Sequence, residues 1–271
     1  MARVRTPAHV PDGQFKATIL QASVRANIWI FSRIQYCNTG LNPEQESRMR
    51  FSAVLLDLDG TLLDTIPDLA RASNAMRAEL GMPELPVATV ATYVGKGTEN
   101  LVKRLLADNP EGRQPSPEET ARALEIFHRH YHEVNGDEAS VYPGVVEGLE
   151  AFSKAGAALA VVTNKPTQFT LPLLERMGLA GYFSQVVCGD TCARKKPDPM
   201  PFLHACELLG ADPAASLAIG DSINDALAAR AANMTVLALP YGYNEGMDVR
   251  NLPVDDIVMS IAEAAQWAAA R

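Results

Sequence analysis

The stretch SAVLLDLDGTLLDT, residues 52–65, decides the fold. Its continuous apolar run is typical of a parallel strand that is covered on both faces. Asp57 and Asp59 follow it two positions apart, and side chains alternate along a strand, so both are expected to project to the same side. Two like charges held together cost free energy unless a cation or a shared proton compensates them. The stretch therefore predicts a buried strand whose carboxyl end carries a charged site.

Further short apolar runs follow this strand, and helical patterns separate them. The strands are predicted over 52–59, 157–164, 184–189, 216–221 and 234–239, and the helices over 144–155, 167–178, 200–210 and 224–232. This alternation predicts an α/β fold with an open, doubly wound and mostly parallel sheet.

The interval between the first strand and VYPGV, residues 141–145, carries helical patterns and no convincing strand. We expect residues 66–140 to form an all-helical cap inserted into an α/β core of residues 51–65 and 141–271. A helical insertion beside the carboxyl end of the first strand suits a lid over a site at that end.

Composition narrows the class of protein. The chain has 271 residues, 47% of them hydrophobic, and a formal net charge of −8, which argues against nucleic acid as a partner. No apolar run approaches the ~18 residues that a membrane span needs. The cysteines form no CxxC pair, so free thiols in a reducing compartment are expected; they are Cys37, Cys188, Cys192 and Cys206. We expect a cytoplasmic monomer or homodimer.

Residues 1–50 differ from the rest of the chain in charge. They carry seven Lys or Arg and three acidic residues and lack a clear hydrophobic period. Such a basic leader is compatible with a transit peptide. The preferred interpretation is an N-terminal extension, either disordered or not native, because Met49 followed by RFSAVLLD resembles a natural chain start.

Polar side chains follow several of the predicted strands at the edge where ligands bind in open α/β sheets. In chain order they are Asp57, Asp59, Thr163, Asn164, Asp221 and, four residues later, Asp225. Converging carboxylates suit a hard cation, and Mg²⁺ takes one or two carboxylates together with substrate phosphate. A lysine in KKPDP, residues 195–199, adds the positive charge that attack of a carboxylate on a phosphate ester requires.

Four segments resemble, in order and spacing, the four motifs of the haloacid dehalogenase superfamily. They are DLDGTLLDT (57–65), VVTNK (161–165), KKPDP (195–199) and GDSINDA (220–226). The first, taken with YVGKGTENLV (93–102), is similar to the phosphoglycolate phosphatase branch of that superfamily. The resemblance covers about residues 51–260 and implies a Mg²⁺-dependent hydrolase of a small phosphate monoester, with 2-phosphoglycolate as the preferred substrate.

The resemblance also implies catalytic roles. Asp57 would be the nucleophile that forms an aspartyl-phosphate, and Asp59 would protonate the leaving group and then activate water. Thr163 and Asn164 would bind the transferring phosphoryl group. Lys196 would pair with Asp57 and the phosphate.

The implied metal site draws on the same loops. Asp57, Asp221 and the backbone carbonyl of Asp59 would hold Mg²⁺. Thr61 and Asp225 would support these ligands from behind.

Selectivity for a carboxylate-bearing ester would come from the cap. Lys96, between two glycines, would read the substrate carboxylate, with Thr98 as a nearby donor. The alternative is that Lys96 is a solvated loop lysine.

Other functions stay open at this stage. A sugar-phosphate mutase would share all four motifs, and a catalytically silent binding module would share the fold. A dehalogenase is disfavoured because its reaction has no alkoxide leaving group for an acid at the position of Asp59 to protonate. His128 and His132 lie at i and i+4 in HRHYH, as a zinc pair would, but a solvated helix face is preferred because no third ligand is visible nearby.

Overall fold

The computed structural model describes residues 49–107 and 114–271. The extension predicted over residues 1–50 lies outside the described residues as far as residue 48. The strands are β1 Ala53–Leu56, β2 Leu63–Asp64, β3 Ser140–Val141, β4 Ala158–Val162, β5 Gln185–Val187, β6 Ser216–Gly220, β7 Thr235–Ala238 and β8 Asp256–Ile257.

The helices are α1 Ile66–Glu79, α2 Val87–Ala91, α3 Thr98–Ala107, α4 Pro117–Val134, α5 Val145–Lys154, α6 Thr167–Arg176, α7 Met200–Leu209, α8 Ile223–Ala231 and α9 Ile261–Ala269. In the part of the chain that the structure describes, none of them combines the length and the apolar character needed to cross a bilayer.

A six-stranded parallel sheet forms the centre of the fold, in the order β5-β4-β1-β6-β7-β8. β1 is central and pairs with β4 and β6, and all four of its residues are fully buried. Val54 and Leu56 belong to one hydrophobic cluster, while Ala53 and Leu55 belong to another. The side chains of β1 thus pack into hydrophobic clusters on both faces of the sheet, which explains its continuous apolar run. The predicted α/β fold class is confirmed.

Helices α1–α4, which we call the helical insert, lie between β2 and β3 in the chain. They pack around a hydrophobic cluster that includes Met76, Val102 and Phe127 and that extends to Phe169 of α6. α4 begins with a capping box in which Ser116 and Glu119 satisfy each other's backbone N–H groups. The helical character expected for this interval is seen, whereas its exact division from the core at residues 66 and 140 stays a prediction.

Strands β2 and β3 form a two-stranded antiparallel ladder. The ladder joins the two chain segments that connect the core to the helical insert. Asp68 in the first turn of α1 is fully buried, and its carboxylate accepts from the backbone N–H groups of Gly136, Glu138 and Ala139 at 2.8, 2.9 and 3.2 Å. One carboxylate therefore fixes the segment that leads back into the core.

Several elements differ from the sequence predictions. The observed strands are shorter than predicted, because the residues at their carboxyl ends leave the sheet and form the loops of the site. The ladder of β2 with β3, strand β8 and helices α2 and α9 were not predicted. The two-residue strands are too short to show a period, and α9 is rich in alanine, which weakens its hydrophobic contrast.

The three cysteines within the described residues are free thiols, as predicted, and Cys37 lies outside the described residues. Cys188 and Cys206 are buried, and burial raises the pKa of both thiols.

Candidate active site

Asp57 lies directly after β1, and its backbone N–H donates to Ile219 O of β6 at 3.0 Å. Its Oδ1 lies 2.9 Å from Lys196 Nζ, and that ammonium also lies 2.6 Å from Asp225 Oδ1 and donates to Val162 O. Burial alone would lower the pKa of Lys196, but Asp225 and Asp57 outweigh this effect and raise it. Lys196 is therefore a buried cation held between two carboxylates.

Asp57, Asp221 and Asp225 form an acidic cluster in which one carboxylate oxygen of each lies within 4.8 Å of the others. Burial raises the pKa of Asp57 to about 7 against the opposing effect of Lys196, and Asp225 adds to the rise. Burial also raises the pKa of Asp221 well above its usual range, and the charges of Asp225 and Asp57 add to this. Three buried oxygen donors that repel one another are the set that a hard divalent cation stabilises.

Asp221 is held closely by the backbone and by Thr61. Thr61 Oγ1 donates to Asp221 Oδ1 at 3.0 Å, and the backbone N–H of Tyr243 donates to Asp221 Oδ2. A Cβ on Gly60 or Gly242 would overlap the Asp221 carboxylate, and Gly60 also has φ +83°. Glycine is thus required where two loops approach this carboxylate. Thr61 lies where the sequence placed a supporting residue.

Asp225 is engaged on both oxygens. Its Oδ1 pairs with Lys196, and its Oδ2 accepts from the Ser222 backbone N–H at 3.1 Å and from Ser222 Oγ at 2.6 Å. Asp225 therefore orients the buried lysine.

Asp59 takes different partners from Asp57. Its Oδ1 accepts from Thr65 Oγ1 at 2.7 Å, and its two oxygens lie 3.1 and 3.3 Å from Lys165 Nζ. The Asp59 carboxylate is not part of the acidic cluster. The sequence predicts that strand alternation points the side chains of Asp57 and Asp59 to the same side. Alternation cannot be the cause, because β1 ends at Leu56 and does not extend to Asp59.

Asp57 and Asp59 both line a cavity between the core and the helical insert. Its volume is about 40 Å³, whereas one water needs ~10–15 Å³. It is lined by Asp57, Asp59, Leu69, Val94, Gly95, Gly97, Thr98, Leu101, Tyr131, Thr163, Asn164 and Lys165. The predicted residues Thr163, Asn164 and Thr98 are thus brought together with the two aspartates in one small space.

The Asn164 side chain is fully engaged in holding loops together. Its Nδ2 donates to Gly95 O at 3.0 Å and to Lys196 O at 2.9 Å, and its Oδ1 accepts from the Lys196 backbone N–H at 3.0 Å. The neighbouring Thr163 Oγ1 accepts from the Lys165 backbone N–H at 3.2 Å. In this geometry Asn164 positions the lysine loop and the loop of the insert.

Lys96 does not line the cavity described above. Its Nζ lies 2.9 Å from Glu245 Oε1, and Arg104 pairs with the same carboxylate at 3.1 Å. Glu245 is thus shared between two cations, and the carboxylate-reading role expected for Lys96 stays a prediction.

His128 and His132 pack against the Phe169 ring of α6, with ring centroids 5.2 and 4.6 Å away. Their nearest polar partner is the amide of Gln168. Within residues 49–107 and 114–271, the acidic cluster is the only group of three or more potential metal ligands. The histidine pair thus joins α4 to the core.

Sequence reasoning missed four residues of this region. Lys165 follows Asn164 directly in VVTNK, so its position beside a strand end was the available signal. Tyr131 lies within HRHYH, a segment in which the sequence singles out only the two histidines, as a possible zinc pair. Tyr243 and Glu245 come from a loop after β7 that carries no recognisable motif.

Comparison with known proteins identifies the family of this chain. Residues 54–239 match the sequence profile of the family described as haloacid dehalogenase-like hydrolase. The chain is 52% identical over 214 residues to the phosphoglycolate phosphatase of Nitrosospira multiformis, covering 79% of this chain and 94% of that protein. It is 49% identical over 213 residues to that of Thiobacillus denitrificans, covering 79% and 93%.

A solved structure gives the same result for the fold. The crystal structure of a "predicted phosphoglycolate phosphatase" from Haemophilus somnus superimposes with a TM-score of 0.76 at 33% identity, covering 80% of this chain and 98% of that chain. The family match extends over more than half of the sequence and includes all four motifs. This chain belongs to the haloacid dehalogenase-like hydrolase family.

Proposed function

We propose that the protein is a Mg²⁺-dependent phosphatase that hydrolyses 2-phosphoglycolate to glycolate and phosphate. The observation that carries the proposal is an acidic cluster beside a buried lysine, one member of which, Asp57, lines a small cavity. The relatives from Nitrosospira multiformis and Thiobacillus denitrificans bear the name phosphoglycolate phosphatase and support the choice of substrate.

Asp57 is the nucleophile. It lines the cavity and is the member of the acidic cluster that directly follows the central strand. Attack on phosphorus forms an aspartyl-phosphate and releases the leaving oxygen. Lys196, 2.9 Å away, offsets the charge that builds up when one anion approaches another. Bound Mg²⁺, held by Asp57, Asp221 and the backbone carbonyl of Asp59, would supply further positive charge for the phosphoryl oxygens.

Asp59 is the general acid and base. The Asp59 side chain lines the same cavity as Asp57 but has different hydrogen-bond partners. Its carboxyl group is therefore available for proton transfer at the leaving oxygen. Thr65 Oγ1 and Lys165 Nζ fix its orientation. After the alcohol leaves, the same carboxylate takes a proton from the water that attacks the aspartyl-phosphate.

The size of the cavity supports a small substrate. Closing the helical insert over the site excludes bulk water and leaves little room beyond a short leaving group. Thr98 and the glycines on either side of Lys96 form part of the wall, so the insert takes part in selecting the substrate.

The test is a panel of phosphate monoesters ranked by kcat/KM with Mg²⁺ and repeated after chelation. We expect 2-phosphoglycolate to rank first and chelation to abolish turnover. A hexose 1-phosphate with product analysis belongs in the panel, since formation of a hexose 6-phosphate would identify a mutase. A broad profile with no preference for phosphoglycolate would contradict the substrate assignment.

A further inference from the structure

Lys165 is a buried lysine in the cavity wall. Its side chain is 3% exposed, and among the described residues that line the cavity it is the one with a cationic side chain. Its Nζ lies 3.1 and 3.3 Å from the two oxygens of Asp59 and donates to Tyr131 Oη at 2.6 Å. A charge brought out of water at this depth needs compensating partners.

The contact with Asp59 does not close off the ammonium. Charge-assisted N–H···O bonds are about 2.7–2.9 Å long, so the Lys165–Asp59 contacts, at 3.1 and 3.3 Å, are looser than a tight ion pair. The Lys165 Nζ is therefore a donor with room to bind a second anion beside Asp59.

Tyr131 brings a second donor from the helical insert to the same place. Its side chain is 1% exposed and lines the cavity. Its hydroxyl oxygen accepts from Lys165, while its own proton reaches no acceptor among the residues that the structure describes. Burial raises the pKa of Tyr131 to about 12, so the hydroxyl keeps that proton at neutral pH. A buried O–H without an acceptor calls for an acceptor from the ligand.

The covalent structure of the substrate places its carboxylate near these two donors. In 2-phosphoglycolate, only a methylene and the carboxyl carbon separate the ester oxygen from the carboxylate oxygens. When Asp59 is hydrogen-bonded to the ester oxygen, a group next to Asp59 is within reach of that carboxylate. Lys165 and Tyr131 are the donors found next to Asp59.

We propose that the Lys165 ammonium and the Tyr131 hydroxyl bind the substrate carboxylate and thereby determine selectivity for 2-phosphoglycolate. The inference rests on the proposed function and assigns to these two residues the task that the sequence suggested for Lys96. Because one donor belongs to the core and the other to the insert, the carboxylate also joins the two parts when the site is closed.

The experiment compares Lys165→Met and Tyr131→Phe with the wild type on two esters in the presence of Mg²⁺. The esters are 2-phosphoglycolate and ethyl phosphate, which has a methyl group in place of the carboxylate and needs the same proton from Asp59. Lys165→Met should lower kcat/KM for phosphoglycolate about 10- to 150-fold more than for ethyl phosphate, the range of a charge-assisted hydrogen bond. Tyr131→Phe should give a selective loss of about 2- to 12-fold.

The control variant is Lys154→Met, an exposed lysine at the end of α5, which should retain wild-type selectivity. Equal losses on both esters in Lys165→Met would overturn the inference, because a lysine that only orients Asp59 affects every alkyl ester alike. Should Lys165→Met fail to fold, Tyr131→Phe decides, and an absence of selective loss there overturns the inference. A wild type that cleaves p-nitrophenyl phosphate but ignores phosphoglycolate overturns the proposed function and this inference with it.

Discussion

Lys96 of the helical insert and Glu245 of the core form an ion pair, with 2.9 Å between Nζ and Oε1. The Glu245 carboxylate also pairs with Arg104, and its side chain is 17% exposed. Burial alone would raise the pKa of Glu245, but hydrogen bonds and charge from the two cations outweigh this effect and lower it. The contact therefore holds the loop that carries Gly95, Gly97 and Thr98 against the core, where it forms part of the cavity wall.

Lys96→Ala should lower kcat/KM for phosphoglycolate and for p-nitrophenyl phosphate by similar factors of about 1.4- to 5-fold, because partly exposed pairs contribute ~0.2–1 kcal/mol. Glu245→Gln should have a similar effect, and the double variant should lose less than the product of the two single losses. Steady-state kinetics at low and high salt would measure this. A loss confined to phosphoglycolate would instead restore Lys96 as the residue that reads the carboxylate.

Asp57→Asn should abolish turnover while the fold is retained. The amide keeps the shape of the side chain but is no nucleophile, and enzymes accelerate such reactions by at least ~10⁶-fold. Phosphate release measures the loss, and circular dichroism checks the fold. Asp212→Asn, at an exposed aspartate before β6, is the matched control and should remain active. Turnover that survives in pure Asp57→Asn protein would exclude the covalent route.

Asp68→Ala should destabilise the protein by about 3–4 kcal/mol, because three backbone N–H groups lose a charged acceptor that is fully buried. Asp68→Asn keeps one acceptor oxygen and should lose about half as much. Urea unfolding at equilibrium gives both values. Near-equal stability of the wild type and Asp68→Ala would mean that the segment returning to the core is held by other contacts.

Stability should fall on acidification partly through His128. Desolvation, and to a lesser extent His132, lowers the pKa of His128 in the folded state below 6.5, and its Nε2 is buried without a partner among the described residues. The unfolded chain then binds the proton more readily, so this contribution is present above about pH 6.5 and is lost as the pH falls through the folded-state pKa.

Thermal unfolding from pH 7.5 to 5 tests this. The decrease in Tm should be smaller in His128→Gln than in the wild type, whereas His204→Gln on α7, outside the contact of α4 with Phe169, should follow the wild type. An identical pH profile in His128→Gln and the wild type would show that other groups cause the decrease.

The central sheet and the group around Asp57 could be predicted because they depend on local pattern and on one topological rule. Continuous apolar runs identify parallel strands, and the carboxyl ends of such strands meet at one edge. With the strand order of the family pattern, this rule predicts that Asp57, Asp221 and Lys196 lie close together. In the structure Lys196 Nζ is 2.9 Å from Asp57 Oδ1, and carboxylate oxygens of Asp57 and Asp221 lie within 4.8 Å of each other.

The contacts between the helical insert and the core were decided by the tertiary structure alone. Tyr131 meets Lys165, and Lys96 meets Glu245, across 34 and 149 positions of sequence. No periodicity encodes such a meeting, because it depends on how the side chains of the insert pack against the sheet edge. The sequence by itself thus determined the fold class and the position of the chemistry, while the packing of the insert on the core decided which cations face the cavity and which pair with a carboxylate outside it.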